Sequence, residues 1–353
     1  VRYIGNKENI LEMIEELLKR NHVSGRSFFD FFAGTASVGR FFKKRGLKIY
    51  SSDLLFLSYC FQKACVENNQ IPSFSALLPT FPGSMLLFVQ NPLTLVLEYL
   101  NELPGVSGFI HQNYTPGGTS GLAKPRMYFS DENGMKIDAV RQKIEEWKRL
   151  NLLTESEYFI LLASLIESVS FFANVSGVYA AFQKKWDPRA VKPFFMRPVE
   201  IVPGKEENQV FNADSMEIFR EIEADIFYLD PPYNARQYAP NYHLLETIAR
   251  YDAPPIHGVT GMRDYKNQKS VFCNETTALE ALEEVAKKGR FKFLVLSYNS
   301  EGIMPSEKIV QVLKPYGTVI FEQFGNTRFK SNNNGAAKTV RQIQEYIFIL
   351  KRK

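Results

Sequence analysis

Cysteine is scarce: Cys60, Cys65 and Cys273 are the only three in 353 residues, an odd number without C-x-x-C spacing. Neither a disulfide framework nor a thiolate zinc site is implied. The four histidines, His22, His111, His243 and His257, are scattered, so no metal is expected. No apolar run reaches the ~20 residues that span a bilayer, and Val1–Lys7 holds no apolar segment of the signal-peptide kind. No membrane partner is expected, and the expected compartment is the cytoplasm. A large excess of one charge is missing too. A net charge of +5 favours a polyanionic partner without demanding one.

Phosphate-cradling glycine loops are also lacking. Gly34 and Gly39 fit G-x-x-x-x-G, but Arg40 and Phe41 stand where an ATP-type loop needs Lys and Ser/Thr. Ala36 stands where the dinucleotide pattern G-x-G-x-x-G needs its second glycine. A nucleotide ligand, if there is one, carries an adenosine and no pyrophosphate.

What is present is a chain of 45% hydrophobic residues, long enough for two domains. Ile10, Met13, Ile14, Leu17 and Leu18 fall at helical spacing. Ser27–Phe32 reads as a buried strand, followed by a small-residue turn, a helix through Val38, Phe41 and Phe42, and a strand Leu47–Tyr50 that stops at Asp53. That is a βαβ start. Ala224–Leu229, Phe291–Leu296, Thr318–Phe321 and Tyr346–Leu350 read as further strands of one open α/β sheet. Residues 71–205 lie between, too long for a loop, and carry two helical faces, Ile137–Leu150 and Tyr158–Phe172. The expected division is 1–70 and 206–353 for the sheet domain and 71–205 for an inserted, mainly helical domain.

The chemistry concentrates in Asp225–Tyr233, an apolar strand ending in Asp230-Pro231-Pro232-Tyr233. Two prolines remove two donors and fix two φ angles, so the strand stops in a stiff open turn. The Asp230 carboxylate and the Pro231 carbonyl can accept both hydrogens of one amino group, while Tyr233 offers a face to a planar ring. Upstream, Phe32-Ala33-Gly34-Thr35-Ala36-Ser37 follows the first strand, at the sheet end where open α/β folds bind ligands. Gly34 allows close approach, Asp53 lies where a carboxylate takes ribose hydroxyls, and Asp30 can receive a cationic amino group. Ribose, adenine, an amino acid end and a sulfonium without phosphate describe S-adenosylmethionine.

RYIGNK, DFFAGTAS, Asp53, Asn212-Ala213-Asp214 and DPPY, in this order, resemble the D12 or Dam-like adenine-specific DNA methyltransferases over about residues 1–70 and 206–353. The inserted region resembles the branch found in restriction-modification systems, through YFSDENGMKIDAVRQKIEEW and NVSGVYAAFQKKWDPRA. Ala36 departs from the F-x-G-x-G turn common in that class. The resemblance implies a Rossmann-like S-adenosylmethionine-dependent fold with an inserted target-recognition domain, and methylation of the exocyclic amine of adenine at a specific double-stranded DNA sequence. It implies that Tyr3, Lys7, Asp53 and Asp230 contact cofactor or active site, that Asp214 meets the cofactor's adenine, and that the host is bacterial. A cognate restriction endonuclease acting on the same sequence without stable complex is the implied protein partner. The flipped adenine would stack on Tyr233. Lys184, Lys185 and Arg189, in a basic and aromatic stretch, and Arg236 after the DPPY turn are the candidate DNA contacts. Alternatives are a methyltransferase of another exocyclic amine, in cytosine or RNA adenine, or a silent DNA-binding relative. Cytosine enzymes more usually resemble Ser-Pro-Pro-Tyr, and protein-glutamine enzymes Asn-Pro-Pro-Tyr.

Overall fold

The computed structural model describes residues 7–83, 91–327 and 342–352. The expectation for Tyr3 lies outside them. Nine strands are described: β1 Ser27–Asp30, β2 Lys48–Ser52, β3 Gln209–Phe211, β4 Ile226–Leu229, β5 Ile256–His257, β6 Met262–Arg263, β7 Phe293–Asn299, β8 Gly317–Thr327 and β9 Gln342–Arg352. Seven form one sheet in the order β3-β2-β1-β4-β7-β9-β8. β3, β2, β1, β4 and β7 run parallel, and β9 is antiparallel to both β7 and β8. The result is a mixed α/β fold with a mostly parallel sheet. The chain reverses on itself between β1 and β4, and in such sheets ligands bind beyond the carboxyl ends of the strands flanking that point.

The chain divides into two compact units. The sheet unit comprises Gly5–Gln62, Gly204–Tyr238 and Lys266–Lys353. Its strands β1 and β4 are apolar and buried because both faces of the sheet are covered there. On one face Phe29, Phe31, Phe227, Leu229, Leu294, Leu296 and Phe348 form a core with Ala278, Leu282 and Val285 of the helix Glu275–Lys288. On the other, Phe28 stacks on Phe42 of the helix Ser37–Lys44 with ring centroids 4.3 Å apart. The first strand ends at Asp30 rather than Phe32: the Phe31 N–H still bonds the Tyr228 carbonyl of β4, and the Ala33 N–H then bonds the Ser52 carbonyl.

The second unit comprises Lys63–Pro203 and Ala239–Tyr265. Its described part is mainly helical, and the helices Asp131–Arg149 and Glu155–Phe172 carry the two apolar faces read from the sequence. Thr154 and Glu157 close the second helix's first turn in a capping box. The compact units do not follow chain order throughout, since Ala239–Tyr265 packs here rather than with the sheet. Buried Arg141 explains part of this: it donates to the carbonyls of Ile248 (3.1 Å) and Ala249 (3.2 Å) at the end of the helix Tyr238–Arg250.

His243 of that helix is buried, with Nε2 2.9 Å from the Tyr179 carbonyl oxygen. Burial lowers its pKa from 6.5 to about 4. The unfolded chain therefore binds a proton between those values that the folded chain refuses, and stability falls as pH drops from 6.5 towards 4. His243→Gln is expected to remove on the order of 2–3 kcal/mol of this acid sensitivity. Urea titrations of both proteins from pH 7 to 4 measure it, and parallel curves would contradict the burial of a neutral imidazole.

Candidate active site

At the carboxyl end of β4 the chain stops at Asp230, and the buried Pro231 and Pro232 follow. The Tyr233 hydroxyl donates to Asp230 Oδ1. The Tyr233 carbonyl accepts from the Ile303 N–H at 2.9 Å, and its ring meets Tyr298 edge-on at 5.3 Å, so the aromatic plane is fixed from two sides. Lys7 is buried beneath this turn. Its Nζ lies 3.6 Å from Asp230 Oδ1, 3.1 Å from Glu345 Oε2 and 4.9 Å from the Tyr233 ring centroid. Burial pushes the Asp230 carboxyl up to about 6 against the opposing pull of the Lys7 charge and the Tyr233 hydroxyl. A carboxylate ordinarily titrates near ~4; the low-dielectric surroundings set this one higher.

Asp30 ends β1, in register with Tyr228 of β4 and Ser51 of β2. It is fully buried, and neither carboxylate oxygen has a hydrogen-bond partner among the described residues. The N–H groups of Phe32 and Gly39 face it without reaching hydrogen-bonding geometry. Burial first, then the neighbouring charges of Asp230 and Asp53, push it up to about 8. A fully buried carboxyl without a partner is rare in native proteins and calls for an explanation.

The turn after β1 carries Gly34 at φ +52° and Ala36 at φ +58°. Gly34 donates its N–H to Asp53 Oδ2 at 2.8 Å, and Asp53 Oδ1 accepts from the Leu55 N–H at 2.9 Å. Two backbone donors thus aim the carboxylate. The Asn212 amide donates to the carbonyls of Asp53 and Leu54 at 3.0 and 3.2 Å, tying the end of β2 to the segment after β3. Asp214 caps the short helix Ser215–Ile218 through the Met216 N–H, and burial raises its pKa. Phe32 is half-buried, edge-on to Phe272.

Ala36 is completely buried in a backbone conformation that disfavours any Cβ. Ala36→Gly, restoring the residue common in this turn, is expected to stabilise the fold by about 0.5–1 kcal/mol, strain relief exceeding the added chain entropy. Chemical denaturation without ligand measures it, and a loss of stability would mean that the Ala36 methyl contributes more by packing than it costs by strain.

The structure therefore brings Lys7, Asp230 and Tyr233 into contact, and links Gly34 to Asp53. Of the candidate DNA contacts, Lys184 and Lys185 are exposed, whereas Arg189 is paired with Asp187. Arg236 is exposed, its N–H bonded to Asn234 Oδ1 at 2.9 Å. Residue patterns missed Glu345, the second carboxylate on Lys7. Its only signal is an acid inside the apolar alternation of β9, opposite Asn299.

A mostly parallel sheet with buried acids at the carboxyl ends of β1 and β4, beside a glycine turn and a Pro-Pro-aromatic stop, is a mixed α/β fold consistent with a methyltransferase. The chain belongs to the D12 class N6 adenine-specific DNA methyltransferase family, whose model matches residues 3–312. It is 38% identical to the modification methylase StsI of Streptococcus sanguinis over 358 residues, covering 100% of this chain and 52% of that protein. It is 37% identical to the type II methyltransferase M.FokI of Planomicrobium okeanokoites, covering 100% and 53%. It is 35% identical to the type II methyltransferase M.NlaIII of Neisseria lactamica, covering 100% and 99%. The chain thus spans about half the length of the first two relatives and nearly all of the third.

Proposed function

We propose that this chain transfers a methyl group from S-adenosylmethionine to the exocyclic amine of adenine within a specific double-stranded DNA sequence, protecting host DNA in a restriction-modification system. The observation that carries this reading is the Asp230 carboxylate, buried at a rigid strand end between Lys7 and Tyr233. It offers an acceptor to an amine and an aromatic face to the ring bearing it. The names of the family and of the relatives as modification methylases support the same reading.

The residues fit the cofactor. The orphaned Asp30 suits the cationic amino group, the aimed Asp53 carboxylate suits the ribose hydroxyls, and Gly34 leaves room beside the backbone. Asp214, with its desolvated carboxyl, suits the adenine edge. When bound, S-adenosylmethionine supplies an electrophilic methyl on a sulfonium. The protein's task is to make the adenine nitrogen a nucleophile, since its lone pair is delocalised into the ring. Asp230 and the Pro231 carbonyl accept its two hydrogens, the nitrogen pyramidalises, and Asp230 would take one proton while the methyl's bond to sulfur breaks with its electron pair left on sulfur. A carboxylate of pKa about 6 holds that proton better than an ordinary one, and is still too weak a base to deprotonate a neutral arylamine beforehand. Placement and electrostatics then supply the rate. The base must leave the duplex to reach such a turn, stacking on Tyr233.

Reading of the DNA sequence is assigned to the mainly helical unit, with Lys184 and Lys185 as phosphate contacts. Arg189 is the weaker candidate because Asp187 already neutralises it. No helix among the described residues is long and apolar enough to cross a membrane. The deciding experiment offers labelled S-adenosylmethionine with unmethylated duplex DNA, single-stranded DNA, RNA and protein in parallel, followed by nucleoside chromatography. N6-methyladenine from duplex DNA, mapped to one sequence by long-read sequencing, is expected. Label in methylcytosine, RNA or protein instead would overturn the reading.

A further inference from the structure

In the helical unit, residues 193–199 form neither helix nor strand, yet they are pinned along their length. The N–H groups of Phe194, Met196, Arg197 and Val199 donate to Asn133 Oδ1 (2.8 Å), Asn101 Oδ1 (2.7 Å), Ser168 Oγ (2.8 Å) and Ser164 Oγ (3.1 Å). Pro193 and Pro198 fix two further φ angles. Phe194, Met196 and Val199 are buried, which leaves Phe195 and Arg197 as the large side chains turned out. The Phe195 ring packs on Phe172 with centroids 5.4 Å apart. The Arg197 guanidinium carbon lies 4.7 Å from the Phe195 ring centroid and 5.6 Å from that of Phe171, which stands in the last turn of the helix Glu155–Phe172.

Two neighbouring phenylalanines, 43% and 40% exposed, mark an interaction surface rather than a finished one. The arginine is not simply their cover, since both stay exposed with it in place. Its guanidinium has no hydrogen-bond or ion-pair partner among the described residues, so its planar donors are held by aromatic faces and left free for something outside the chain. The exposed Lys184, Lys185 and Lys192 on the same stretch make that partner an anionic one. A phosphate is met as well by a mobile lysine. Fixing a plane is useful where the acceptors lie in a plane too, as O6 and N7 of guanine do in the major groove. We propose that Arg197 reads a guanine of the recognised DNA sequence through two parallel N–H bonds, with Phe171 and Phe195 as the positioning residues that hold its fork. This rests on the methyltransferase function proposed above and on its assignment of DNA reading to the helical unit.

The test measures the affinity of the full chain for a duplex carrying the mapped sequence and for a set in which each base pair is replaced singly. Arg197→Lys keeps the charge and loses the fork. It is expected to lose roughly ten- to hundredfold of the discrimination at one G·C pair, with the other positions unmoved, and Arg197→Ala should do the same. Phe171→Leu and Phe195→Leu should each lose roughly two- to fivefold at that same pair. The unfolding midpoint and S-adenosylmethionine affinity of Arg197→Lys are the controls for folding and should be unchanged. An even loss at every position in Arg197→Ala, with the salt slope of log K lower by about one, would mark a phosphate contact and overturn base reading. Discrimination unmoved in Arg197→Ala, or a mapped sequence without a G·C pair, overturns the inference alone and leaves the methyltransferase reading standing. No methylation of DNA by the unaltered chain overturns that reading, and this inference with it.

Discussion

Asp230→Ala is expected to lower the single-turnover rate of methyl transfer by at least roughly 10²–10³-fold, the range for losing a preorganised electrostatic contact to the reacting group. The carboxylate orients the amine and accepts its proton, so without it the nitrogen keeps its lone pair in the ring. DNA and cofactor binding should survive in part, because the Lys7, Tyr233 and Asp53 contacts remain. Asp230→Asn should be nearly as slow, since an amide presents one acceptor and cannot hold the proton. A near-normal rate for Asp230→Ala would sink the assignment. The pH profile gives an independent check. Only the ionised form can take up the amine's proton, so kcat/KM should rise with pH through about 6 and level off above it. Lys7 holds this carboxyl below where burial alone would put it, so Lys7→Met should move the limb to higher pH.

Asp30→Asn is expected to do two opposite things. In the free protein Asp30 has a folded pKa of about 8 against an unfolded value near 3.8. Between those values the unfolded chain is ionised while the folded one must keep its proton, so stability drains away as pH rises from 4 to 8. A neutral amide of the same shape escapes this, and Asp30→Asn should be more stable at neutral pH by roughly 1–3 kcal/mol, about the size of one buried unsatisfied polar group. The same change removes the negative charge awaiting the cofactor's amino group, and affinity for S-adenosylmethionine should fall by roughly 10- to 100-fold. Docking of that ammonium should also drive a proton off the native Asp30 at pH 7. Calorimetry in buffers of different ionisation enthalpy reads that release directly. Cofactor binding without proton release, and with unchanged affinity in Asp30→Asn, would move the amino-group contact elsewhere.

Features built from consecutive residues were legible in the sequence. The DPPY stop is one, because each proline acts on its own backbone, and Gly34 with Asp53 is another, since a βα turn and the next strand end are close by construction. Helix faces such as Tyr158–Phe172 were legible from their period. The partnership of Lys7 with Glu345 was not, because it depends on the register of antiparallel β9 against β7, which alternating side chains alone leave open. Arg126 and Arg141 look like surface cations in the sequence, and only the fold reveals that their work is to satisfy backbone carbonyls. The packing of Ala239–Tyr265 with the helical unit was hidden for the same reason: nothing in its composition says which neighbour its helix will choose.

The Lys7 ion pairs also set a timetable. Lys7 leaves the ribosome before either of its carboxylates, since Asp230 and Glu345 follow more than two hundred and more than three hundred residues later. Contacts of such sequence separation form late and slowly, so a nascent chain can complete β1, β2 and the glycine turn long before Lys7 has any carboxylate to meet. Until β9 is laid between β7 and β8, the ammonium has every reason to stay in water. Full charge balance at the DPPY turn should therefore be among the final events of folding, and pulsed hydrogen exchange should find β9 acquiring protection together with the turn rather than with β1.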